Sequence, residues 1–280
     1  MNKEKGLSSF TSRIIINVLG IPAILLLIRA GGPPFVVFIG LIAVLGQIEF
    51  YNLMRMKGLQ PWLSEGLGTG IVWIVVSYYS SPMFLCPMMM LVFLLFLGIV
   101  LFKKIENTIV NTAVTVLGFL YLPFMLSILI MLRELPRQFN GHYQDGSKLV
   151  MLIFVSIWIC DSLAYVFGKW LGKTKIAPDI SPGKTWVGCI AGLIGAVITA
   201  TIFYHLGWKP EFLNYRDILV IGAIAGIFGQ AGDFIESAFK RDVGVKDSSL
   251  LLMGHGGVLD RFDSFLFAPG FVYLYLLFVM

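Results

Sequence analysis

The sequence predicts an all-α, polytopic integral membrane protein with about nine transmembrane helices. Composition and pattern carry that prediction. Of 280 residues, 58% are hydrophobic and 13% charged, whereas a soluble domain carries about a quarter charged residues. Mean hydropathy is +0.86. Apolar runs, most of them long enough to cross about 30 Å of hydrocarbon, alternate with short clusters of charge, Gly and Pro. In such a chain the net charge of +5 is no sign of nucleic acid, and no nucleic-acid partner is expected. Cys86, Cys160 and Cys189 stand singly inside apolar runs with no CxxC pair, so they are expected to pack and not to form disulfides.

The runs follow in order. Lys3, Lys5 and Arg13 precede the first, Ile14–Ile28; no A-x-A site follows it, so an uncleaved span is expected and not a signal peptide. Gly31-Gly32-Pro33-Pro34 turns the chain into a second run, Phe35–Met54. Glu49 lies near its end and reads as a helix-end partner of Arg55 and Lys57. The third run, Leu67–Ser80, is the shortest. The fourth, Phe84–Phe102, stops at Lys103-Lys104, and the fifth is Thr108–Leu132. After a polar loop, Arg133–Lys148, come Leu149–Phe167, Trp186–Leu206, Asp217–Phe239 and Phe262–Met280.

Nine crossings with the N-terminus in the cytoplasm place fifteen of the 21 Lys and Arg on that side and six on the other. The positive-inside rule favours this orientation in a cell (inner) membrane. It also puts the two polar loops richest in motifs, Lys169–Lys184 and Lys240–Arg261, on the side where nucleotides are. The chain divides accordingly. Residues 1–148 form an N-terminal membrane scaffold with no legible chemistry. They serve as a lipid-facing scaffold or as a dimer interface, and the second reading implies a homodimer. Residues 149–280 form the catalytic region.

The stretch Ser237–Asp263 concentrates that chemistry. Lys240, Arg241, Lys246 and Arg261 supply cations among the carboxylates of Asp242, Asp247, Asp260 and Asp263. His255-Gly256-Gly257 is a turn whose backbone can approach a ligand closely. Asp260 and Asp263 are spaced i, i+3, which on a helix puts both carboxylates on one face, about 5–6 Å apart. Paired carboxylates suit a divalent cation, and a cation among lysines suits phosphate. Deeper in the bilayer, Asp161, Asp233 and Glu236 each face an insertion cost on the order of 2.5–3.5 kcal/mol. A shared cation in a polar cavity offsets that cost. The simpler alternative for Glu236 is an i, i+4 ion pair with Lys240. Gly188-x-x-x-Gly192 and Gly222-x-x-x-Gly226 permit close helix approach, which would gather the charged spans.

Ser237, Lys240-Arg241, Lys246-Asp247, His255-Gly256-Gly257 and Asp260-Arg261-x-Asp263 together resemble the signature of the phosphatidate cytidylyltransferase (CDP-diacylglycerol synthase) family. The family usually has Pro or a small residue two before the His, where this chain has Met253. Asp161-Ser162-x-Ala164-Tyr165-x-x-Gly168-Lys169 and Ser181-Pro182-Gly183-Lys184-Thr185-Trp186 are similar to the same family. A P-loop is excluded, because Pro178 stands where G-x-x-x-x-G-K needs its first Gly.

The resemblance implies an enzyme that condenses CTP with phosphatidic acid in the lipid bilayer, giving CDP-diacylglycerol and pyrophosphate. The expected metal ligands are Asp161, Asp233, Asp260 and Asp263. Mg2+ is the expected ion, with a second cation such as K+ beside it. Arg261 is expected at the reacting phosphate. Lys169, Lys173, Ser181, Lys184, Lys240, Arg241, Lys246, His255, Gly256 and Gly257 are expected to bind substrate. Two rivals stay open at this point. One is another Mg-dependent membrane phosphotransferase, of the polyprenyl-phosphate type. The other is a cation-coupled transporter, although such proteins more often show two matching halves.

Overall fold

The computed structural model describes residues 9–103, 106–139, 141–249 and 256–280. Every regular element among them is helical: α1 (Ser9–Ala30), α2 (Gly32–Met56), α3 (Leu63–Tyr79), α4 (Pro82–Val100), α5 (Thr108–Phe119), α6 (Met125–Glu134), α7 (Tyr143–Leu171), α8 (Trp186–His205), α9 (Tyr215–Val243), α10 (Leu259–Phe262) and α11 (Ser264–Val279). A π-helical turn, Leu120–Phe124, joins α5 to α6, and a 3-10 turn, Leu135–Gln138, ends α6. Pro123 sits inside the π turn, where its missing N–H breaks the i to i−4 ladder.

Seven stretches among the described residues are long and apolar enough to cross a membrane: 32–56, 83–100, 108–138, 143–171, 186–205, 215–243 and 259–279. The chain is a multi-pass membrane protein, and seven of the nine expected spans meet that length among the described residues. The apolar part of α1 described in full, Val18–Ala30, and the 17 residues of α3 both fall short of that length. Gly58, Ser64 and Glu65 crowd the start of α3 with turn-forming and polar residues, which is why its apolar run is short.

Local chemistry sets the helix boundaries. Pro33 and Pro34 occupy the first turn of α2, where a missing N–H costs nothing. The Thr185 hydroxyl accepts from Gly188 N and starts α8. Asn214 and Asp217 form a reciprocal capping box that starts α9, and Gly244 ends it at φ 79°, a backbone state costly for other residues. At 29 residues each, α7 and α9 run further at both ends than the sequence predicts.

The core joins α2, α6, α7, α9 and α11 through residues such as Phe35, Phe50, Leu129, Leu152, Phe154, Ile221 and Leu266, all essentially solvent-free. Helix α8 is built the other way round. Ile190, Ile194, Ile198 and Ile202, spaced i, i+4, are 54%, 53%, 53% and 49% exposed on one face. Gly188, Gly192, Gly195 and Ala196 are buried on the opposite face. Lipid supplies no hydrophobic drive between helices, so small residues on the inner face let backbones meet. A side chain at Gly192 would stand 2.8 Å from the Cys160 carbonyl of α7, and one at Gly222 would stand 2.6 Å from Ala200 of α8. The glycine spacing read from the sequence thus draws α7, α8 and α9 together. Helix α4 remains outside the core and packs its Phe96 against Trp73 and Phe119.

Candidate active site

Helices α1, α7, α8 and α9 and the α10–α11 junction enclose a cavity of about 1160 Å³. Asp161 and Asp233 each stand ten residues before the end of their helix. The two helices run parallel because α8 returns between them, so both carboxylates sit at one depth, about 15 Å from the helix ends. Asp260 and Asp263 also line the cavity, together with Lys169, Lys175, Lys184, Lys240 and Arg261. Apolar residues line it as well, among them Ile21 and Ile24 of α1, Trp158 and Phe265. One chamber therefore carries both charged and apolar lining.

The carboxylates divide into two sets. In the first, Asp161, Asp233 and Asp263 interact by charge with one another and with Lys184. Lys184 Nζ is 2.7 Å from Asp233 Oδ2 and 4.0 Å from the centre of the Phe234 ring. The Ser237 hydroxyl lies 3.3 Å from Asp233 Oδ1. Asp263 Oδ1 accepts from Ser264 N at 2.7 Å. Three carboxylates against one ammonium leave a local excess of negative charge.

The second set is closed on itself. Lys240 Nζ lies 2.5 Å from Glu236 Oε2 and 2.6 Å from Asp260 Oδ1. Glu236 is 1% exposed and Lys240 9%. The i, i+4 pairing, the simpler of the two readings of Glu236, does form. Asp260 Oδ2 accepts from Ser248 N at 3.0 Å, Ser248 Oγ at 2.9 Å and Gly257 N at 2.6 Å. Both Asp260 oxygens are thus engaged by the protein itself. The i, i+3 spacing of Asp260 and Asp263 delivers them to different partners, not to one shared face.

Sequence reasoning missed Glu49. It does not pair with Arg55 or Lys57 at a helix end. It is 4% exposed, and its carboxylate reaches the far end of the chain. Oε1 accepts from Ser249 Oγ at 2.6 Å and Val258 N at 2.9 Å; Oε2 accepts from Leu259 N at 2.8 Å and lies 3.1 Å from Ser248 Oγ, whose single hydrogen it shares with Asp260 Oδ2. The glycine pair makes room for this arrangement. Gly256 has φ 78°, and a side chain there would stand 2.5 Å from Asp260 Oδ2. A side chain at Gly257 would stand 2.6 Å from the Glu49 carboxyl carbon. These glycines were expected to let a ligand approach; in the fold they let two of the protein's own carboxylates approach. A buried-carboxylate cost inside the second span was the only sequence signal for Glu49, and it named no partner.

The structure gathers only some of the expected phosphate binders. Lys169 and Lys184 line the cavity, as does Lys175, which the predicted set lacked. Lys175 and Lys184 sit on a hairpin-like loop held by Ile176 N to Lys184 O and Trp186 N to Thr174 O. Lys240 also lines the cavity, but two carboxylates hold its ammonium. Lys173 and Lys246 are exposed and are not among the residues lining the cavity. Arg241 donates to the carbonyls of Ile180 and Val245, fastening the end of α9 to the hairpin-like loop. Ser181 shapes that loop, its carbonyl accepting from Lys184 N. His255 lies outside the described residues.

Among the described residues, no group of three His, Cys, Asp or Glu side chains forms a ready-made metal cage. Mg2+, the expected ion, binds through one or two carboxylates and completes its shell with water and substrate phosphate, so it asks for no such cage. Asp161, Asp233 and Asp263, with their excess charge and their place on the cavity, fit that requirement. Asp260, also expected as a ligand, has Oδ2 among three protein donors and Oδ1 on the Lys240 ammonium.

The cytidylyltransferase family matches residues 11–279. The phosphatidate cytidylyltransferase of Bacillus subtilis is 35% identical, over 94% of this chain and 96% of that protein. The Synechocystis protein of the same name is 32% identical, over 96% and 97%. That of Staphylococcus haemolyticus is 32% identical, over 91% and 94%. The match runs from the first described helix to the last and takes in every wall of the charged cavity, so this chain belongs to the cytidylyltransferase family.

Proposed function

We infer that this protein is a phosphatidate cytidylyltransferase, transferring CMP from CTP to phosphatidic acid and releasing pyrophosphate. The observation that carries the reading is a cavity lined by both charged and apolar residues in a chain of this family. A soluble nucleotide and a membrane lipid both fit such a chamber.

The lipid phosphate already bears a nucleophilic oxygen. It attacks the α-phosphorus of CTP; the bond from that phosphorus to the bridging oxygen of the β-phosphate breaks, and pyrophosphate leaves. No side chain has to become a nucleophile. The protein brings two polyanions together and offsets the charge on the transferring group and the leaving group. Lys169, Lys175 and Lys184 line the cavity, suited to the triphosphate, and so does Arg261, near Asp263 at the α10–α11 junction. Asp161, Asp233 and Asp263 would hold Mg2+, which supplies Lewis-acid stabilisation of phosphate oxygens, and the same charge excess leaves room for a second cation such as K+. The closed set of Lys240, Glu236 and Asp260 holds the α10 turn to α9. The N-terminus and the cavity mouth belong to the cytoplasmic side, on the bias of Lys and Arg among the turns.

The test is product formation in proteoliposomes. The purified chain is given labelled CTP and phosphatidate, with UDP-sugars and polyprenyl phosphate in parallel reactions. Labelled CDP-diacylglycerol formed with matching pyrophosphate is the expected result. Transfer from UDP-sugars alone, or cation flux without product, would overturn the reading.

A further inference from the structure

We propose that Glu49 is a positioning residue for CMP transfer, acting from the N-terminal scaffold on Asp263 and Arg261 by clasping both ends of the segment that precedes them. The proposal rests on the reading of this cavity as a cytidylyltransferase site.

The geometry is that of a clasp. Ser248 and Ser249 end the chain leaving α9, and Val258 and Leu259 begin the turn into α10. Glu49 reaches both ends, with Ser249 Oγ and the shared Ser248 hydroxyl at one and the Val258 and Leu259 N–H groups at the other, all at 2.6–3.1 Å. The residues it joins are 199 to 210 positions away. Two residues after Leu259 comes Arg261, and two further on comes Asp263, both on the cavity. A one-residue shift in the turn would rotate both side chains about the α10 axis. A buried carboxylate with four donors around it is costly to displace, because each donor would be left unpaired. Asp260 braces the same turn from the other side through Ser248 and Gly257, so the turn is held between two carboxylates.

The rest of the cavity does not depend on the clasp. Lys169, Lys175 and Lys184 sit on α7 and the loop before α8, fixed by their own backbone bonds. Loosening the clasp should therefore leave the binding of CTP largely intact and disturb the groups nearest the reacting phosphate. An effect confined to the transition state lowers kcat; loss of uniform binding raises KM.

Glu49→Gln is the test, measured in proteoliposomes with the full chain. Its amide nitrogen would face N–H and O–H donors where an oxygen now accepts. The expected result is a fall in kcat of about tenfold or more with KM for CTP changed by less than about threefold. Gln47→Ala on the same helix is the control, since Gln47 bonds only Tyr51 and Gly66, and it should retain kcat. Unchanged kcat in Glu49→Gln, or an equal fall in Gln47→Ala, overturns the proposal. Should Glu49→Gln fail to fold, Ser249→Ala carries the test, because the carboxylate keeps three donors. A fall in kcat of about threefold supports the clasp, and wild-type kcat overturns it. A wild-type chain that makes no CDP-diacylglycerol would instead defeat the functional reading on which the proposal rests.

Discussion

Asp260→Asn and Asp263→Asn should fail in opposite ways, although the two residues stand three apart in one short motif. Asp260 Oδ2 accepts three hydrogen bonds and Oδ1 pairs with Lys240. An Asn can keep its oxygen toward the three donors, but its amide then meets the Lys240 ammonium. The lost charge-assisted bond costs about 1.5–3 kcal/mol. For a chain of this size that lowers Tm by about 3–12 °C. Asp263 has one backbone bond and stands among carboxylates with a single lysine nearby. Removing its charge relieves repulsion, so Tm should hold or rise. On the proposed role of Asp263 in holding a cation at the reacting phosphate, its loss should lower kcat by about 100-fold or more, equivalent to ~2.7 kcal/mol. The assays are thermal unfolding in detergent without substrate, and turnover at saturating Mg2+ well below either Tm. An Asp260→Asn protein with the wild-type Tm, or an Asp263→Asn protein with near-normal turnover, would refute the division into a bracing and a reacting carboxylate.

Other perturbations probe neighbouring parts of the same arrangement. Arg261→Lys keeps the charge and loses the planar fork, so kcat should fall by about tenfold with a smaller change in KM for CTP; a rise in KM alone would make Arg261 a binding residue only. Gly257→Ala drives a methyl group into the Glu49 carboxyl and the Ser248 hydroxyl, and should cost about 1–3 kcal/mol in unfolding measurements together with activity. In a cysteine-free background, single cysteines at Gly58, Lys175 and Lys246 should be labelled from the cytoplasm and one at Gly207 from outside. Labelling at Lys246 from outside would put the cavity mouth where CTP is absent.

Much of the molecule is legible from short-range features. Helix positions follow from runs of apolar residues, and their ends follow from local caps at Pro33, Thr185, Asn214 and Gly244. Seven of the nine expected spans have the length of a crossing among the described residues, while α3 and the fully described part of α1 are apolar but shorter. The inner face of α8 was readable from glycine spacing, since 3.6-residue periodicity puts Gly188 and Gly192 on one side. The charged motifs were readable as chemistry, and Asp161, Asp233 and Asp263 do meet at one cavity.

The sequence by itself determined the all-helical membrane fold, the family and the types of group that meet at the site. These depend on composition, on periodicity and on residues close together in the chain. Only the tertiary structure decided what each charged group does. It separated Asp260 from Asp263, closed Lys240 between Glu236 and Asp260, and brought Glu49 to Ser249 across 200 residues. A buried carboxylate has to find donors, and spacing along the chain states that need without naming who meets it. The partner is fixed by how α2, α9 and α10 pack, through contacts that no local pattern encodes.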